Sequence, residues 1–269
     1  MKPFDRGIYL LPNLMTTGAL FAGFYAVIAG LQGNFENGAI AIFIAMVLDG
    51  LDGRIARMTN SCSAFGAEYD SLADMVSFGL APALLMFQWA LADFGKLGWL
   101  IAFIYTVAAA LRLARFNTQV GTADKRYFQG LPSPAAAALL AGLIWVVESN
   151  QIELTFIPVF AVVLTLFAGL MMVSNTRFSS FKELNLKDKV PFVTLLLVVL
   201  VFVVITIKPA MILFMIFLSY ALSGPIITLL TLKKTRHKRK SNKSEDNEES
   251  DSKTTSDVKD NIDADSSSK

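Results

Sequence analysis

The chain has 269 residues, of which 54% are hydrophobic and 17% are charged, and its formal net charge is +2. So apolar a composition excludes an ordinary soluble domain and indicates a membrane protein with several spans. The single cysteine excludes an internal disulfide, and the sequence contains no nucleic-acid-binding motif and no phosphate-binding glycine-rich loop.

Eight apolar segments approach the length that a membrane-spanning helix requires, which is roughly 20 mostly apolar residues. They predict an all-α fold, a polytopic transmembrane helical bundle with spans at about 10–32, 37–57, 67–91, 97–115, 131–148, 153–174, 190–207 and 209–232. The second span is the weakest, because its apolar run ends at Leu48 and acidic residues follow. The last two are separated only by Lys208 and Pro209, which predicts a tight hairpin.

Basic residues are distributed unevenly between the connections on the two sides of this bundle. With the N-terminus inside, the opposite connections carry only Lys96 and Lys208. The cytoplasmic segments carry Lys2, Arg6, Arg54, Arg57, Arg112, Arg115, Lys125, Arg126, Arg177, Lys182, Lys187 and Lys189. This asymmetry predicts that both termini face the cytoplasm.

Composition also divides the chain along its length. Residues 1–232 form the predicted transmembrane domain that holds the candidate site, and 233–240 form a basic juxtamembrane segment. Residues 241–269 contain almost no apolar side chains, so they cannot bury a core and are expected to be disordered.

The main chemical signal is a group of four carboxylates, Asp49, Asp52, Asp70 and Asp74, in one short segment. The pattern is D-x2-D-G-x2-A-R-x8-G-x3-D-x3-D. On helices, residues three or four apart share a face, so two facing helices would gather four negative charges. Two neighbouring arginines cannot neutralise them alone, whereas hard divalent cations with oxygen ligands can. By the charge asymmetry, this segment lies on the cytoplasmic side.

With Gly53, Ala56, Arg57 and Gly66 at fixed points between the aspartates, the pattern resembles the signature of the CDP-alcohol phosphatidyltransferase family at every specified position. The resemblance covers about residues 8–175. It implies an integral-membrane enzyme of phospholipid synthesis, expected in a bacterial inner membrane with its active site facing the cytoplasm. In the implied reaction, an alcohol attacks the lipid-side phosphorus of a CDP-linked lipid and CMP leaves.

The resemblance also implies roles for the aspartates. Asp49, Asp52 and Asp70 are the expected ligands of divalent cations, either Mg²⁺ or Mn²⁺. Two ions are expected. Asp74 is the expected general base, and it can also contact a metal. Arg57 is expected to contact phosphate, although an ion pair with a motif aspartate is an alternative.

The remaining donor-side residues follow from the same resemblance. Gly53 and Ala56 are expected to lie against the nucleotide, and Gly66 to open the third helix. The segment LPNLMTTGAL resembles the family's first-helix entry, and the resemblance implies that Asn13 and Thr16 are candidates for hydrogen-bonding the nucleotide. The residues alone leave open that Asn13 caps the helix and that the Thr16 hydroxyl bonds back to its own helix.

The segments SLADMVSFGLAP, RLARFN and GLPSPAAA resemble the serine-using branch of the family. This implies CDP-diacylglycerol and L-serine as substrates. Arg112 and Arg115, three apart on one helix face, are candidates for holding the serine carboxylate or a lipid phosphate, unless they only anchor the helix. Asn117 is a candidate for the serine amino group, and Ser133 either caps the fifth helix or faces the substrate.

Other functions remain open at this point. Within the family, the acceptor can be glycerol 3-phosphate, inositol phosphate or choline, although YDSLADMVSFG departs from the D-P-x-A-D-K pattern of glycerol 3-phosphate users. A membrane prenyltransferase is disfavoured, because its acidic motifs lie in two separated loops. A cation transporter is disfavoured, because its acids are expected in the middle of a span. A homodimer also remains open.

Overall fold

The computed structural model of the chain describes residues 10–59, 61, 63–119, 127–179 and 206–228. Seven helical segments occur in this part of the chain: α1 Leu10–Leu31, α2 Phe35–Met58, α3 Ala64–Phe94, α4 Lys96–Gln119, α5 Ser133–Ser149, α6 Ile157–Val173 and α7 Pro209–Thr228. The predicted helical architecture is confirmed, and the described helix ends lie within about one turn of the predicted spans. The predicted span at 190–207 lies almost entirely outside the described residues, as do the basic segment and the tail.

Four of the described helices, α1, α3, α4 and α7, are long and apolar enough to cross a membrane. Helices α5 and α6 are apolar but have only 17 residues each, and α2 carries the charges of the aspartate motif. The chain is therefore a membrane protein. The count of eight spans stays a prediction.

Helix α3 is not a uniform α-helix. Regular turns at Ala64–Asp74 and Ala81–Met86 alternate with wider π-helical turns at Met75–Leu80 and Phe87–Leu91, and a 3₁₀ turn, Ala92–Phe94, ends it. The Phe78 carbonyl, in the first π-helical stretch, accepts a hydrogen bond of 3.1 Å from the buried hydroxyl of Tyr105 on α4. The first irregular turn thus begins directly after Asp74, and π-helical turns frequently occur at functional sites.

Small residues allow the helices to approach closely. Helix α5 is buried continuously from Ala135 to Ile144, and five of these residues are alanine. A Cβ added at Gly23 of α1 would lie 2.6 Å from the Ser77 hydroxyl of α3, and that hydroxyl donates to the Ala19 carbonyl at 3.0 Å. Close contacts between small residues and interhelical hydrogen bonds are the usual means of packing helices in a membrane.

A short antiparallel pair, β1 Tyr127–Gln129 and β2 Arg177–Ser179, adds to the helices. The sequence did not predict it. Between β1 and α5, Gly130 has a positive φ of 79°, and its N–H donates to the Thr176 carbonyl at 2.9 Å. The Leu131 N–H donates to Met171 at 2.9 Å. These bonds fix the start of α5 against the end of α6.

Helix α7 packs on the bundle through one face. The Phe217 ring lies 6.2 Å from the Phe43 ring of α2, and a Cβ added at Gly142 of α5 would lie 3.2 Å from the Phe214 backbone. By its internal contacts, the chain divides into Met1–Gly224 and Pro225–Lys269. All of the candidate site belongs to the first unit.

Candidate active site

The second of the two aspartate-bearing helices begins with a side-chain cap. Ser63 precedes α3, and its hydroxyl accepts a hydrogen bond of 3.0 Å from the Gly66 N–H. This bond satisfies one of the N–H groups that a helix start leaves without a partner, so α3 begins at Ala64. Gly66 therefore lies inside the first turn, where the sequence had predicted that it opens the helix.

Three of the four motif aspartates form one group. Asp49 on α2 and Asp70 and Asp74 on α3 each place a carboxylate oxygen within 4.8 Å of the others. The Asp49 and Asp74 carboxylates, on different helices, are close enough to interact directly. Carboxylates this close require a proton or a cation between them.

A divalent cation fits this group. The Oδ1 atom of Asp70 is buried and has no hydrogen-bond partner among the described residues. The donor set consists of carboxylate oxygens, which are the ligands that Mg²⁺, Mn²⁺ and Ca²⁺ prefer. The Asp cluster is thus compatible with metal binding.

Asp52 is placed differently from the other three. It is buried, and its Oδ2 accepts a hydrogen bond of 2.7 Å from the Thr16 hydroxyl of α1. Its charge acts on both Asp49 and Asp70, so it belongs to the same electrostatic site. The structure thus brings the four predicted aspartates together and sets one of them against α1.

A cleft of about 280 Å³ opens beside Asp52 and Asp70. Its lining contains all six predicted donor-side residues, Asn13, Thr16, Gly53, Ala56, Arg57 and Gly66. A Cβ added at Gly53 would meet no atom of the described residues within 4 Å, so packing against them does not require a glycine there. Ser61 and Ser63 also line the cleft. The sequence did not predict them, because their only signal is a hydroxyl in the interval between the two aspartate pairs.

Three of the donor-side alternatives can be compared with the structure. Leu10 is already helical, so Asn13 lies inside α1 and does not cap it. The Thr16 hydroxyl bonds both to the Pro12 carbonyl of its own helix, at 3.1 Å, and to Asp52. The Arg57 Nε donates to the Gly53 carbonyl at 2.9 Å, which lays the side chain along its own helix at the cleft.

The two arginines of the RLARFN segment contact different parts of the protein. Arg112 is partly buried, and its Nη1 donates to the Ser133 hydroxyl at 2.8 Å. Its charge acts on Asp74, and its buried Nε has no hydrogen-bond partner among the described residues. Arg115 instead donates to the Val173 carbonyl at 3.2 Å, near the C-terminus of α6, and to Asn175 at 3.4 Å.

Two further acceptor-side residues have defined partners. Ser133 is fully buried and is the first residue of α5, and no side chain among the described residues caps this helix. It therefore contacts Arg112 and does not act as the cap that the sequence left open. The Asn117 Nδ2 donates to the Ser71 hydroxyl at 3.0 Å, which ties α4 to α3 between Asp70 and Asp74.

Comparison with known proteins adds an independent finding. A model of the family described as CDP-alcohol phosphatidyltransferase matches residues 9–173. A relative from Helicobacter pylori is 36% identical over 204 residues, which are 73% of this chain and 83% of the relative. One from Bacillus subtilis is 34% identical over 173 residues, 64% of this chain and 92% of the relative. One from Methanocaldococcus jannaschii is 36% identical over 156 residues, 58% of this chain and 70% of the relative. All three are named CDP-diacylglycerol–serine O-phosphatidyltransferase.

Proposed function

The chain belongs to the CDP-alcohol phosphatidyltransferase family, and on that premise we propose that it transfers the phosphatidyl group of CDP-diacylglycerol to L-serine. The products are phosphatidylserine and CMP. The observation that carries the proposal is the group of Asp49, Asp70 and Asp74 beside a cleft lined by the predicted donor-side residues. The names of the relatives supply the acceptor.

In the proposed reaction, the hydroxyl oxygen of serine attacks the phosphorus on the lipid side of the pyrophosphate. The bond between that phosphorus and the bridging oxygen breaks, and CMP leaves with the bridging oxygen. Asp74 accepts the hydroxyl proton. Because a carboxylate is a weak base for an alcohol, its placement next to the reacting hydroxyl contributes more than its basicity.

Asp49, Asp52 and Asp70 would hold two divalent cations, either Mg²⁺ or Mn²⁺. Asp74 would be a further ligand. When bound, such ions screen the charge of the pyrophosphate and stabilise the leaving phosphate. The bound cations would also offset the repulsion between the four closely spaced carboxylates.

The donor nucleotide would occupy the cleft next to Asp52. Asn13, Gly53, Ala56 and Gly66 line it, and the backbone at Gly53 is open to a ligand. Arg57, at the same cleft, would contact phosphate through the guanidinium nitrogens that its Gly53 bond leaves available. A planar guanidinium suits this contact because it donates to two oxygens at once.

The acceptor would lie between Asp74 and Arg112, whose charges interact with each other. A serine carboxylate leaving water requires a cationic partner, and Arg112 supplies a buried one whose direction Ser133 sets. Asn117, next to Ser71 on α3, is proposed to receive the amino group of serine.

The proposed membrane placement has eight spans, both termini inside and the aspartates at the cytoplasmic face of a bacterial inner membrane. The uneven distribution of lysine and arginine supports this orientation.

The proposed function is tested by a panel of acceptors. Membranes that contain the full chain are given CDP-diacylglycerol with L-serine, glycerol 3-phosphate, inositol phosphate or choline in turn, and CMP release is measured. CMP is expected only with serine. Release with glycerol 3-phosphate and not with serine would show that the acceptor is wrong, while the metal site would still stand.

The acceptor site is tested separately with Arg112→Ala. We expect the KM for serine to rise ~30-fold with an unchanged KM for CDP-diacylglycerol, since loss of a buried charged partner costs ~2 kcal/mol or more. Arg115→Ala is the matched variant, because it removes the same charge from the same helix. As Arg115 binds the end of α6, its replacement is expected to lower the melting temperature without separating the two KM values. A rise in the KM for CDP-diacylglycerol in Arg112→Ala would instead assign Arg112 to the lipid phosphate.

A further inference from the structure

Thr16 and Asp52 form a buried hydrogen bond between α1 and α2. The Thr16 Oγ1 lies 2.7 Å from Asp52 Oδ2, and the two residues are only 4% and 5% exposed. The same oxygen lies 3.1 Å from the Pro12 carbonyl. A threonine hydroxyl has one proton, and the carboxylate is both the closer and the stronger acceptor. The proton therefore belongs chiefly to the bond with Asp52.

This bond acts on the one motif aspartate that stands apart. Asp49, Asp70 and Asp74 each place a carboxylate oxygen within 4.8 Å of the other two. The side chain of Asp52 is instead oriented by Thr16 of another helix. Asp52 and Asp70 both line the cleft. The direction of the Asp52 carboxylate thus depends on α1.

The next residue along α1 makes a contrasting contact. The Thr17 hydroxyl lies 2.9 Å from the Tyr69 hydroxyl of α3, but this pair is exposed and contains no carboxylate. Water can replace an exposed bond of this kind at little cost, whereas a carboxylate that is only 5% exposed loses more when its donor is removed. The two neighbouring threonines are therefore unequal in what they can do for the aspartates.

We propose that Thr16 is a positioning residue for the cation site, which holds Asp52 in the direction that a metal ligand requires and does not serve mainly to bind the nucleotide. The inference rests on the proposed function, since it takes Asp52 as a metal ligand. It differs from the sequence expectation, in which Thr16 hydrogen-bonds the nucleotide. Hydrogen bonds that orient a metal ligand typically change metal affinity by 10- to 100-fold when they are removed.

The test compares two substitutions of Thr16 in the purified full chain. Thr16→Val keeps the shape and removes the hydroxyl, and Thr16→Ser keeps the hydroxyl. The readout is the affinity for Mn²⁺ alone, measured by electron paramagnetic resonance without any substrate. We expect ~10-fold or greater weakening in Thr16→Val and a nearly unchanged affinity in Thr16→Ser. Thr17→Val, the same change one residue along, is the control and should leave the affinity unchanged.

A second measurement asks whether Thr16 acts through Asp52. In an Asp52→Ala background, Thr16→Val should have no further effect on Mn²⁺ affinity, because the bond that it removes is already absent. If Thr16→Val retains Mn²⁺ affinity but loses affinity for CDP-diacylglycerol, Thr16 binds the nucleotide and the proposal is wrong. The proposal is also wrong if Thr16→Ser loses as much Mn²⁺ affinity as Thr16→Val. If the valine variant does not fold, a ~10-fold loss of Mn²⁺ affinity in Thr16→Ser alone overturns the proposal. Mn²⁺ binding by the unaltered chain is measured first, so failure of the metal site itself is recognised independently of Thr16.

Discussion

Asp70→Ala is expected to reduce CMP release by ~10³-fold or more. Asp70 belongs to the group of three carboxylates, and its buried Oδ1 has no hydrogen-bond partner among the described residues. Its removal would take away a proposed metal ligand, and loss of several kcal/mol of transition-state stabilisation corresponds to this factor at 1.36 kcal/mol per tenfold change. Asp49→Ala and Asp52→Ala are expected to have the same effect.

The measurement is CMP release from CDP-diacylglycerol and serine, with and without EDTA. EDTA should abolish CMP release by the unaltered chain, and added Mg²⁺ or Mn²⁺ should restore that release. Glu68→Ala is the matched control, because Glu68 is an exposed acid on the same helix and outside the group. Full activity in EDTA would exclude the metal mechanism for this protein.

The sequence predicted the site better than it predicted the contacts within it. Spacing of three and four residues specifies which aspartates share a helix face, and that part follows from helix geometry alone. Spacing does not specify which residue on another helix meets them. The bond from Thr16 to Asp52 joins positions far apart in the chain, so the helical repeat of either segment carries no information about it.

The arginines of α4 illustrate the same limit. Three residues apart, Arg112 and Arg115 share a face, and nothing in the local sequence separates their roles. Each long side chain binds whichever acceptor lies within reach, and these acceptors are Ser133 of α5 for one and the Val173 carbonyl of α6 for the other. The pairing of β1 with β2 was missed for a related reason, since it joins residues on either side of two helices.

The start of α3 was also predicted inexactly, at Gly66 rather than at Ala64. Ser63 caps the helix by accepting from the Gly66 N–H, but no Glu or Gln follows it three residues later to complete the usual start signal. The family match ends at residue 173, so α7 lies beyond it. On α7, Met211 and Met215 are half exposed, while Phe217 packs on Phe43.

Asp74→Asn is expected to retain binding of CDP-diacylglycerol and to lose transfer by ~10²–10⁴-fold, the usual contribution of a general base. The substitution keeps the shape of the side chain and one oxygen, but an amide does not accept the proton of the attacking hydroxyl. Asp74 is suited to this role because its charge acts on the metal group through Asp49 and on the acceptor side through Arg112. It is therefore the motif carboxylate that would lie between the two proposed substrate positions.

Three measurements separate a base from a ligand. The kcat for CMP release should fall, while the KM for CDP-diacylglycerol and the Mn²⁺ affinity should change by no more than a few fold, because asparagine still offers an oxygen. Asp93→Asn is the matched control, since Asp93 is an exposed aspartate near the far end of the same helix. If Asp74→Asn lowers substrate affinity and leaves kcat intact, Asp74 is a binding group. Another group must then accept the proton, because the acceptor hydroxyl has to lose its proton during the transfer.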